Sequence, residues 1–289
     1  MSAAVNTIEV QVRGLTFTGL SGGPDDGPLL LLLHGMSRTS WEWHHQIPAL
    51  AALGYRTVAP DLRGRCPSAR PMAVEAYVID EFMADALAIA DSLAGDDQPF
   101  HLMGTSIGSM VAWHLAAEHP GRIKSLACIN IPHPGAFIDV AGSLGAEEQQ
   151  QRMSYTNDSR MAGNERTAFE ATLDRMALPA SETDPYRIAF ASDDAITAAY
   201  HWYRAAAIDP RNRARLGPVT MPTLFIWPPG AGNVSRDTAE ANAHHVTGPY
   251  RFEILDNAKN YALQGEPERV SRLLCRHLEK YGEGWAVKQ

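Results

Sequence analysis

The sequence has few cysteines, fewer basic than acidic residues and no long apolar segment. Its three cysteines are an odd number and lack the spacing of metal ligands, so neither a disulfide framework nor a cysteine-bound metal is indicated. Lys and Arg number 25 against 33 Asp and Glu, which gives a net charge of -8. Because an acidic chain is not attracted to phosphates, we expect neither nucleic acid nor an anionic membrane surface as a partner.

Targeting and membrane-spanning patterns are also missing. The N-terminal residues have no basic region followed by an apolar core, and the five-leucine run Leu29–Leu33 is far too short to span a bilayer. The sequence therefore predicts a soluble protein of the reducing cytoplasm. It leaves the oligomeric state open, a homodimer included.

Apolar runs alternate with helical patterns along most of the chain. A length of 289 residues with 45% hydrophobic content allows one α/β domain with an inserted subdomain. Ile8–Leu20 alternates apolar and polar residues, as one or two antiparallel strands do, and Val74–Leu93 has helical periodicity. Continuous apolar runs predict strands buried on both faces of a mostly parallel sheet. These runs are Leu29–Leu33, Tyr55–Ala59, the run from Phe100, Ile123–Ile131, Thr223–Trp227 and Arg251–Leu255.

The alternation stops between residues 133 and 216. This stretch is helical and polar with scattered aromatic residues, and it predicts a helical cap inserted into the α/β unit. Residues 1–132 and 217–289 then form the core domain, which the amphipathic helix Glu266–Tyr281 closes. In a sheet of this kind the active site lies at the carboxyl ends of the strands.

The strand that begins at Phe100 ends in Gly104-Thr-Ser106-Ile-Gly108, and a helical pattern follows. This is a G-x-S-x-G nucleophile elbow, in which the glycines permit a sharp strand-to-helix turn that exposes the serine hydroxyl. A serine N-cap between two turn glycines would have the same pattern, but the flanking strand and helix favour the elbow. The Ile107 N–H then lies at a helix N-terminus, where it can stabilise an oxyanion.

Six further motifs accompany the elbow. They are His34-Gly35, Trp-His-His-Gln-Ile-Pro-Ala-Leu at 43–50, Ala-Pro-Asp-Leu-Arg-Gly at 59–64, Asn-Ile-Pro-His-Pro-Gly-Ala-Phe at 130–137, His-Trp-Tyr-Arg-Ala at 201–205 and Glu-Pro-Glu-Arg-Val at 266–270. With them the chain resembles the α/β-hydrolase superfamily, and within it the epoxide hydrolase and haloalkane dehalogenase branch. The resemblance implies an α/β-hydrolase fold with a mostly parallel eight-stranded sheet and a helical cap. It also implies that the Met36 N–H completes the oxyanion hole.

The catalytic positions depart from the pattern of that branch. Epoxide hydrolases carry an aspartate nucleophile where this chain has Ser106, and the histidine expected after the last strand aligns with Asn260. The orienting acid aligns with Ala231 or, at its alternative position, with Asn130. An asparagine cannot accept a proton at neutral pH, so Ser106 lacks its usual activation and the two-step hydrolysis of the family is not expected.

The resemblance also supplies candidates for substrate binding. Epoxide hydrolases use two cap tyrosines to hydrogen-bond the epoxide oxygen, and Tyr155 and Tyr203 fill both positions, although helical tyrosines more often serve as packing residues. Ser37 stands where epoxide hydrolases have proline, so we expect a differently shaped oxyanion loop. The candidate substrate contacts are His34, Ser37, His133 and Trp202, although the family uses the first of these mostly to shape the loop.

Other polar residues near the expected pocket could carry a proton. Glu42 follows the oxyanion loop, and Lys259 and Asn260 stand where the histidine loop of the family lies. A lone polar residue near a pocket is more often a structural one whose hydrogen bonds are satisfied. His244 and His245 follow a predicted helix and are expected at the surface.

Three interpretations of function follow. The leading one is an enzyme that performs a non-hydrolytic reaction on a largely apolar small molecule, such as cyclisation, ring opening by an internal nucleophile, elimination or rearrangement. The elbow serine, the two cap tyrosines and Asn260 would act as hydrogen-bonding groups, and secondary metabolism is a plausible setting by analogy. The second is a serine esterase or epoxide hydrolase in which His34 or His133 replaces the missing base. The third is a ligand-binding protein without activity, and no motif implies a metal or an organic cofactor.

Overall fold

The computed structural model of the chain describes residues 4–213, 215–256, 258 and 261–282. Within them, eight strands form one sheet in the order β1-β2-β4-β3-β5-β6-β7-β8. The pairs β1–β2 and β2–β4 are antiparallel and all others are parallel, so the predicted fold class is confirmed. The strands are β1 Asn6–Val12, β2 Leu15–Gly22, β3 Leu29–Leu33, β4 Arg56–Pro60, β5 Phe100–Thr105, β6 Ile123–Ile129, β7 Thr223–Trp227 and β8 Tyr250–Ile254.

The alternating pattern at Ile8–Leu20 forms two strands, β1 and β2, and not one. Arg13 and Gly14 both have positive φ, 53° and 73°, in the connection between β1 and β2. Positive φ at both central residues is the geometry of a tight hairpin turn, because its twist matches that of the paired strands. The pattern of alternation alone could not settle this choice, since it continues through the turn.

All five leucines of β3 are buried, because hydrophobic clusters cover both faces of the sheet. Leu29, Leu31 and Leu33 pack into the larger hydrophobic cluster on one face of the sheet, and Leu30 and Leu32 into a second cluster on the other. Since side chains alternate along a strand, a sheet covered on both faces requires apolar residues at every position.

Helices cover both faces of the sheet and build the cap. None of those described is long and apolar enough to cross a bilayer. The cap consists of six of them, α4 to α9, and it has its own cluster of buried side chains around Phe169, Tyr186 and Phe190. The helices are α1 Ile47–Ala51, α2 Ile79–Ala94, α3 Ile107–Glu118, α4 Pro134–Ala141, α5 Ala146–Arg152, α6 Tyr155–Arg160, α7 Glu165–Met176, α8 Ala180–Ala189, α9 Asp193–Ile208, α10 Arg236–Ala241, α11 Ala262–Gly265 and α12 Pro267–Tyr281.

The single helix predicted over Val74–Leu93 is wrong at its start. Val74–Tyr77 is a separate 3₁₀ turn, and the chain is extended at Val78, with φ -67° and ψ 156°, before α2 begins. The Ile79 N–H at the start of α2 donates to Asp209 Oδ2 at 3.0 Å. This cap comes from a residue 130 positions away, which periodicity cannot reveal.

The sharp turn between β5 and α3 depends on close backbone approach. A Cβ on Gly108 would lie 2.2 Å from the carbonyl oxygen of Leu33, and one on Gly104 would lie 2.3 Å from that of Gly108. We therefore expect Gly108→Ala to lower the free energy of unfolding by about 3 kcal/mol, measured by urea denaturation. Gly121→Ala is the matched control, because a Cβ there meets nothing within 4 Å. Equal stability of the two variants would contradict this packing.

Candidate active site

A cavity of about 530 Å³ lies between the carboxyl ends of the central strands and the cap. The core contributes the loop after β3, the elbow, the end of β6 and the loop after β7, and the cap contributes α5, α6, α7 and α9. This is the place that a parallel sheet predicts for a binding site. The predicted site residues that line it are Met36, Ser37, Ser106, Tyr155 and Tyr203.

Ser106 has the backbone geometry of an elbow. Its φ of 52° and ψ of -117° lie outside the common regions for a non-glycine residue, and α3 begins at the next residue, Ile107. The N–H of a first helical residue has no acceptor within its own helix, so it is available to an oxyanion. Ile107 is this first residue of α3, although it is not among the residues that line the cavity, and its role as an oxyanion donor stays a prediction.

The oxyanion loop differs in shape from one that contains proline. Ser37 has a φ of 52°, whereas proline is fixed near -65°, so proline could not occupy this position without rearrangement. Tyr200 lines the same cavity wall as Ser37, and Arg38 donates to the Ser37 carbonyl oxygen at 2.8 Å. This hydrogen bond helps to fix the loop that carries Met36.

Tyr155 and Tyr203 lie together on the cap side of the cavity. Their rings meet edge to face with centroids 6.3 Å apart. Burial raises the pKa of the Tyr155 hydroxyl and holds the pKa of the Tyr203 hydroxyl well above its ordinary value. A phenol with its ordinary pKa of about 10 is already protonated at neutral pH, so both hydroxyls can donate hydrogen bonds to a bound oxygen.

Glu42 adds a buried carboxylate to the cavity wall. It is 5% exposed, and its Oε2 accepts a hydrogen bond from the Gly35 N–H at 2.6 Å. A Cβ on Gly35 would lie 3.1 Å from Glu42 Oε2 and 3.2 Å from Ser106 Cβ, so the carboxylate and the elbow serine flank the same backbone position. Burial raises the pKa of Glu42, although the Arg38 guanidinium and the Gly35 N–H oppose the shift. The sequence placed Glu42 after the oxyanion loop, but no motif singled it out over its polar neighbours.

Neither of the two positions that the resemblance assigns to the orienting acid carries an acidic side chain. Ala231 lines the cavity, and Asn130 follows β6 directly with a φ of 74°. Asn130 Oδ1 is buried and has no hydrogen-bond partner among the described residues, although its backbone N–H donates to Ile226 O at 2.9 Å. Lys259 and Asn260 lie outside the described residues, so the predicted role of Asn260 stays a prediction.

His34, a predicted substrate contact, does not line the cavity. Its Nδ1 donates to the Gly35 carbonyl oxygen at 2.8 Å, and its Nε2 accepts from the Leu62 N–H at 2.9 Å. Burial lowers its pKa to about 3. Since both ring nitrogens are engaged by backbone, His34 shapes the loop.

His133 and Trp202 also lie off the cavity wall. His133 Nδ1 caps α4 by accepting from the Gly135 N–H at 3.0 Å, and its Nε2 donates to the Gly217 carbonyl oxygen at 3.0 Å. Burial lowers its pKa to about 4. Trp202 packs edge to face on Phe82 in the core, with centroids 5.4 Å apart. Their helical and loop neighbours, which the sequence could not place, turn both side chains away from the cavity.

His245 is largely buried, so the prediction that it lies at the surface is wrong. It is 9% exposed and stacks on His133 with ring centroids 4.6 Å apart, whereas His244 is exposed as predicted.

All 11 histidines lie within the described part of the chain, and none of them lines the cavity. A histidine base for Ser106, which the hydrolase interpretation needs, therefore has no candidate in this cavity wall.

Known proteins share this architecture. The family model described as "alpha/beta hydrolase fold" matches residues 28–176. The AB hydrolase superfamily protein YfhM of Bacillus subtilis is 29% identical over 93% of this chain and 96% of its own. Epoxide hydrolase A of Mycobacterium tuberculosis is 25% identical over the same shares. One of the novel epoxide hydrolases from metagenomes of hot environments superposes with a TM-score of 0.83 at 24% identity, over 94% of this chain and 98% of that one. The chain therefore belongs to the alpha/beta hydrolase fold family, as an enzyme of its epoxide hydrolase-like branch.

Proposed function

We propose that this enzyme opens the ring of an epoxide or related cyclic ether with a nucleophile from the same molecule, so that the product is an isomer of the substrate. The observation that carries the proposal is the composition of the cavity wall. Two phenols and a buried carboxylate share it with the elbow serine, and no histidine of the chain does. A role in secondary metabolism is part of the same proposal.

The phenols supply the electrophilic half of the reaction. Tyr155 and Tyr203 hydrogen-bond the ring oxygen, and one of them transfers its proton as the carbon–oxygen bond breaks. Both are protonated at neutral pH, because an ordinary phenol has a pKa of about 10. Relatives that are named epoxide hydrolases support the choice of an epoxide as the reacting group.

Glu42 supplies the basic half. A hydroxyl of the substrate attacks the ring carbon and loses its proton to the Glu42 carboxylate, which lies beside the elbow. A carboxyl group with a raised pKa is a better proton acceptor at neutral pH than an ordinary one. Ser106, with the N–H groups of Met36 and Ile107, then binds and orients the substrate through hydrogen bonds instead of forming an ester.

Isotope labelling distinguishes ring closure from hydrolysis. A 4,5-epoxy alcohol incubated with the enzyme in H₂¹⁸O should give a five-membered cyclic ether without ¹⁸O, because the internal hydroxyl outcompetes water. A diol that contains one ¹⁸O would instead favour an epoxide hydrolase with a relocated base. Recovery of unchanged substrate bound to the protein would favour the ligand-binding interpretation.

The reactivity of Ser106 tests the hydrolase alternative directly. We expect intact-mass spectrometry to detect no adduct after exposure to a fluorophosphonate, because a serine hydroxyl without a base is a very weak nucleophile. The control is Ser106→Ala under the same conditions. Stoichiometric labelling that disappears in Ser106→Ala would mean that a base activates the serine, and acyl transfer would become the leading function.

A further inference from the structure

Two histidines and a glutamate converge at the junction of the cap and the core, outside the cavity wall. His44 and His45 follow the 3₁₀ helix Ser40–Trp43 of the core, and Glu182 lies on the cap helix α8. His45 Nε2 lies 3.0 Å and His44 Nε2 3.5 Å from Glu182 Oε1. The three atoms all lie within 4.8 Å of one another, and no other group of three or more ligand residues in the described part of the chain meets this limit.

We propose that His44, His45 and Glu182 bind a divalent transition-metal ion, with zinc as the best match, and that this ion fastens the cap to the core. Two imidazole nitrogens and a carboxylate oxygen are a donor set that zinc prefers. Bonds of about 2.0–2.1 Å in a tetrahedral site put ligand atoms about 3.3 Å apart, which the two distances to Glu182 bracket. The fourth position would hold water.

Neighbouring groups orient the ligands as those of metal sites do. The His44 Nδ1–H donates to the Trp41 carbonyl oxygen at 2.6 Å, which leaves the Nε2 lone pair directed towards Glu182. The His44 ring also stacks on Trp41, with centroids 3.7 Å apart. Glu182 Oε2 accepts from Gln264 Nε2 at 2.6 Å, which leaves Oε1 for the metal. Such contacts fix the tautomer and the direction of a ligand before the ion arrives.

The cluster lies where the core contacts the cap helix α8, so an ion bound there would connect the two. Trp41 Nε1–H donates to the Glu182 carbonyl oxygen at 3.3 Å, so core and cap already meet here. Gln264 also accepts from the Tyr186 hydroxyl at 2.7 Å, and the Tyr186 ring lies 5.0 Å from the guanidinium of Arg38 on the cavity wall. A bound ion would therefore hold α8 against the rim of the cavity. Its ligands are 137 residues apart in the sequence, so no spacing motif reveals them.

Asp139, His244 and His245 provide a matched control. His245 Nε2 lies 2.8 Å and His244 Nδ1 3.6 Å from Asp139 Oδ2, so this cluster also joins two histidines to a carboxylate. Unlike those of the first cluster, its three ligand atoms do not all lie within 4.8 Å of one another, and the His244 side chain is 71% exposed. Asp139→Asn should therefore leave metal binding unchanged.

Calorimetric titration of the chelator-treated protein with ZnCl₂ tests the proposal. We expect one tight site per chain, weakened about 100-fold or more in Glu182→Gln and in His45→Ala, with wild-type affinity in Asp139→Asn. Co²⁺ should give the intense visible absorption of a four-coordinate site in the wild type and lose it in both ligand variants. His45 is one-third exposed, so His45→Ala should fold even if Glu182→Gln does not, and circular dichroism checks both.

Two results would overturn the proposal. One is the absence of a stoichiometric site in the folded wild type, which would leave the cluster as a hydrogen-bonded pair with a neighbouring histidine. The other is undiminished binding in folded His45→Ala, which would place the ion elsewhere. Neither readout depends on catalytic activity, so the outcome is separate from that of the proposed ring closure.

Discussion

Replacing Tyr203 with phenylalanine is expected to lower kcat for ring closure of the epoxy alcohol about 1,000-fold. The phenol transfers its proton only as the carbon–oxygen bond breaks, so its loss should reduce kcat and kcat/KM alike and change KM little. Phenylalanine keeps the ring and its edge-to-face contact with Tyr155, so packing should be preserved. The measurement is the initial rate of cyclic ether formation against substrate concentration.

Tyr155→Phe and the double variant show whether the two phenols act as a unit. Because the two rings are in contact and both phenols would act on the same ring oxygen, the double variant should lose much less than the product of the two single losses. Tyr250→Phe is the control, since its hydroxyl accepts from Asn242 Nδ2 at 3.0 Å and the residue does not line the cavity. A Tyr203→Phe enzyme with wild-type kcat would mean that the ring is only a packing residue.

Glu42→Gln is expected to lower kcat by about 1,000-fold as well, because the amide cannot accept the proton of the attacking hydroxyl. The variant keeps the size of the side chain and an oxygen that can still accept from the Gly35 N–H. The variant leaves the buried Arg38 guanidinium facing an uncharged amide, so some loss of stability is expected beside the loss of kcat. Stability is measured by urea denaturation alongside the rate of ring closure.

Asp85→Asn separates catalysis from the loss of a buried charge. Asp85 is 4% exposed, accepts from Arg63 at 2.7 and 2.8 Å and is not among the residues that line the cavity. We expect this variant to lose stability, because the buried Arg63 guanidinium loses its two charge-assisted hydrogen bonds to Asp85 and keeps Glu81 as an ion-pair partner, but to retain its kcat. If Glu42→Gln keeps its kcat too, another group takes the proton and Glu42 only holds the oxyanion loop.

Local pattern predicted the elements that the sheet depends on. Thr223–Trp227 is a strand over the predicted residues, because a strand buried on both faces leaves an uninterrupted apolar run. Ile123–Ile131 and Glu266–Tyr281 are correct to within two residues. The elbow was readable because two glycines around a serine meet a backbone constraint that no other residues satisfy.

Side-chain direction in the cap and loops could not be read in this way. His133 and Trp202 lie in motifs that the resemblance shares, yet one caps a helix and the other packs into the core. Whether a residue on an amphipathic helix faces the core or a cavity depends on which element lies opposite, and that is a tertiary property.

The sequence by itself determined the strands of the parallel sheet and the sharp turn at Ser106, because each follows from residue type at a fixed local spacing. The loss of the usual histidine was inferred from the resemblance and stays a prediction. Only the tertiary structure decided that no other histidine reaches the cavity, that Glu42 lies beside the elbow, and that Glu182 meets His44 and His45 across 137 residues. These facts depend on long-range packing, which brings together side chains whose separation along the chain carries no signal.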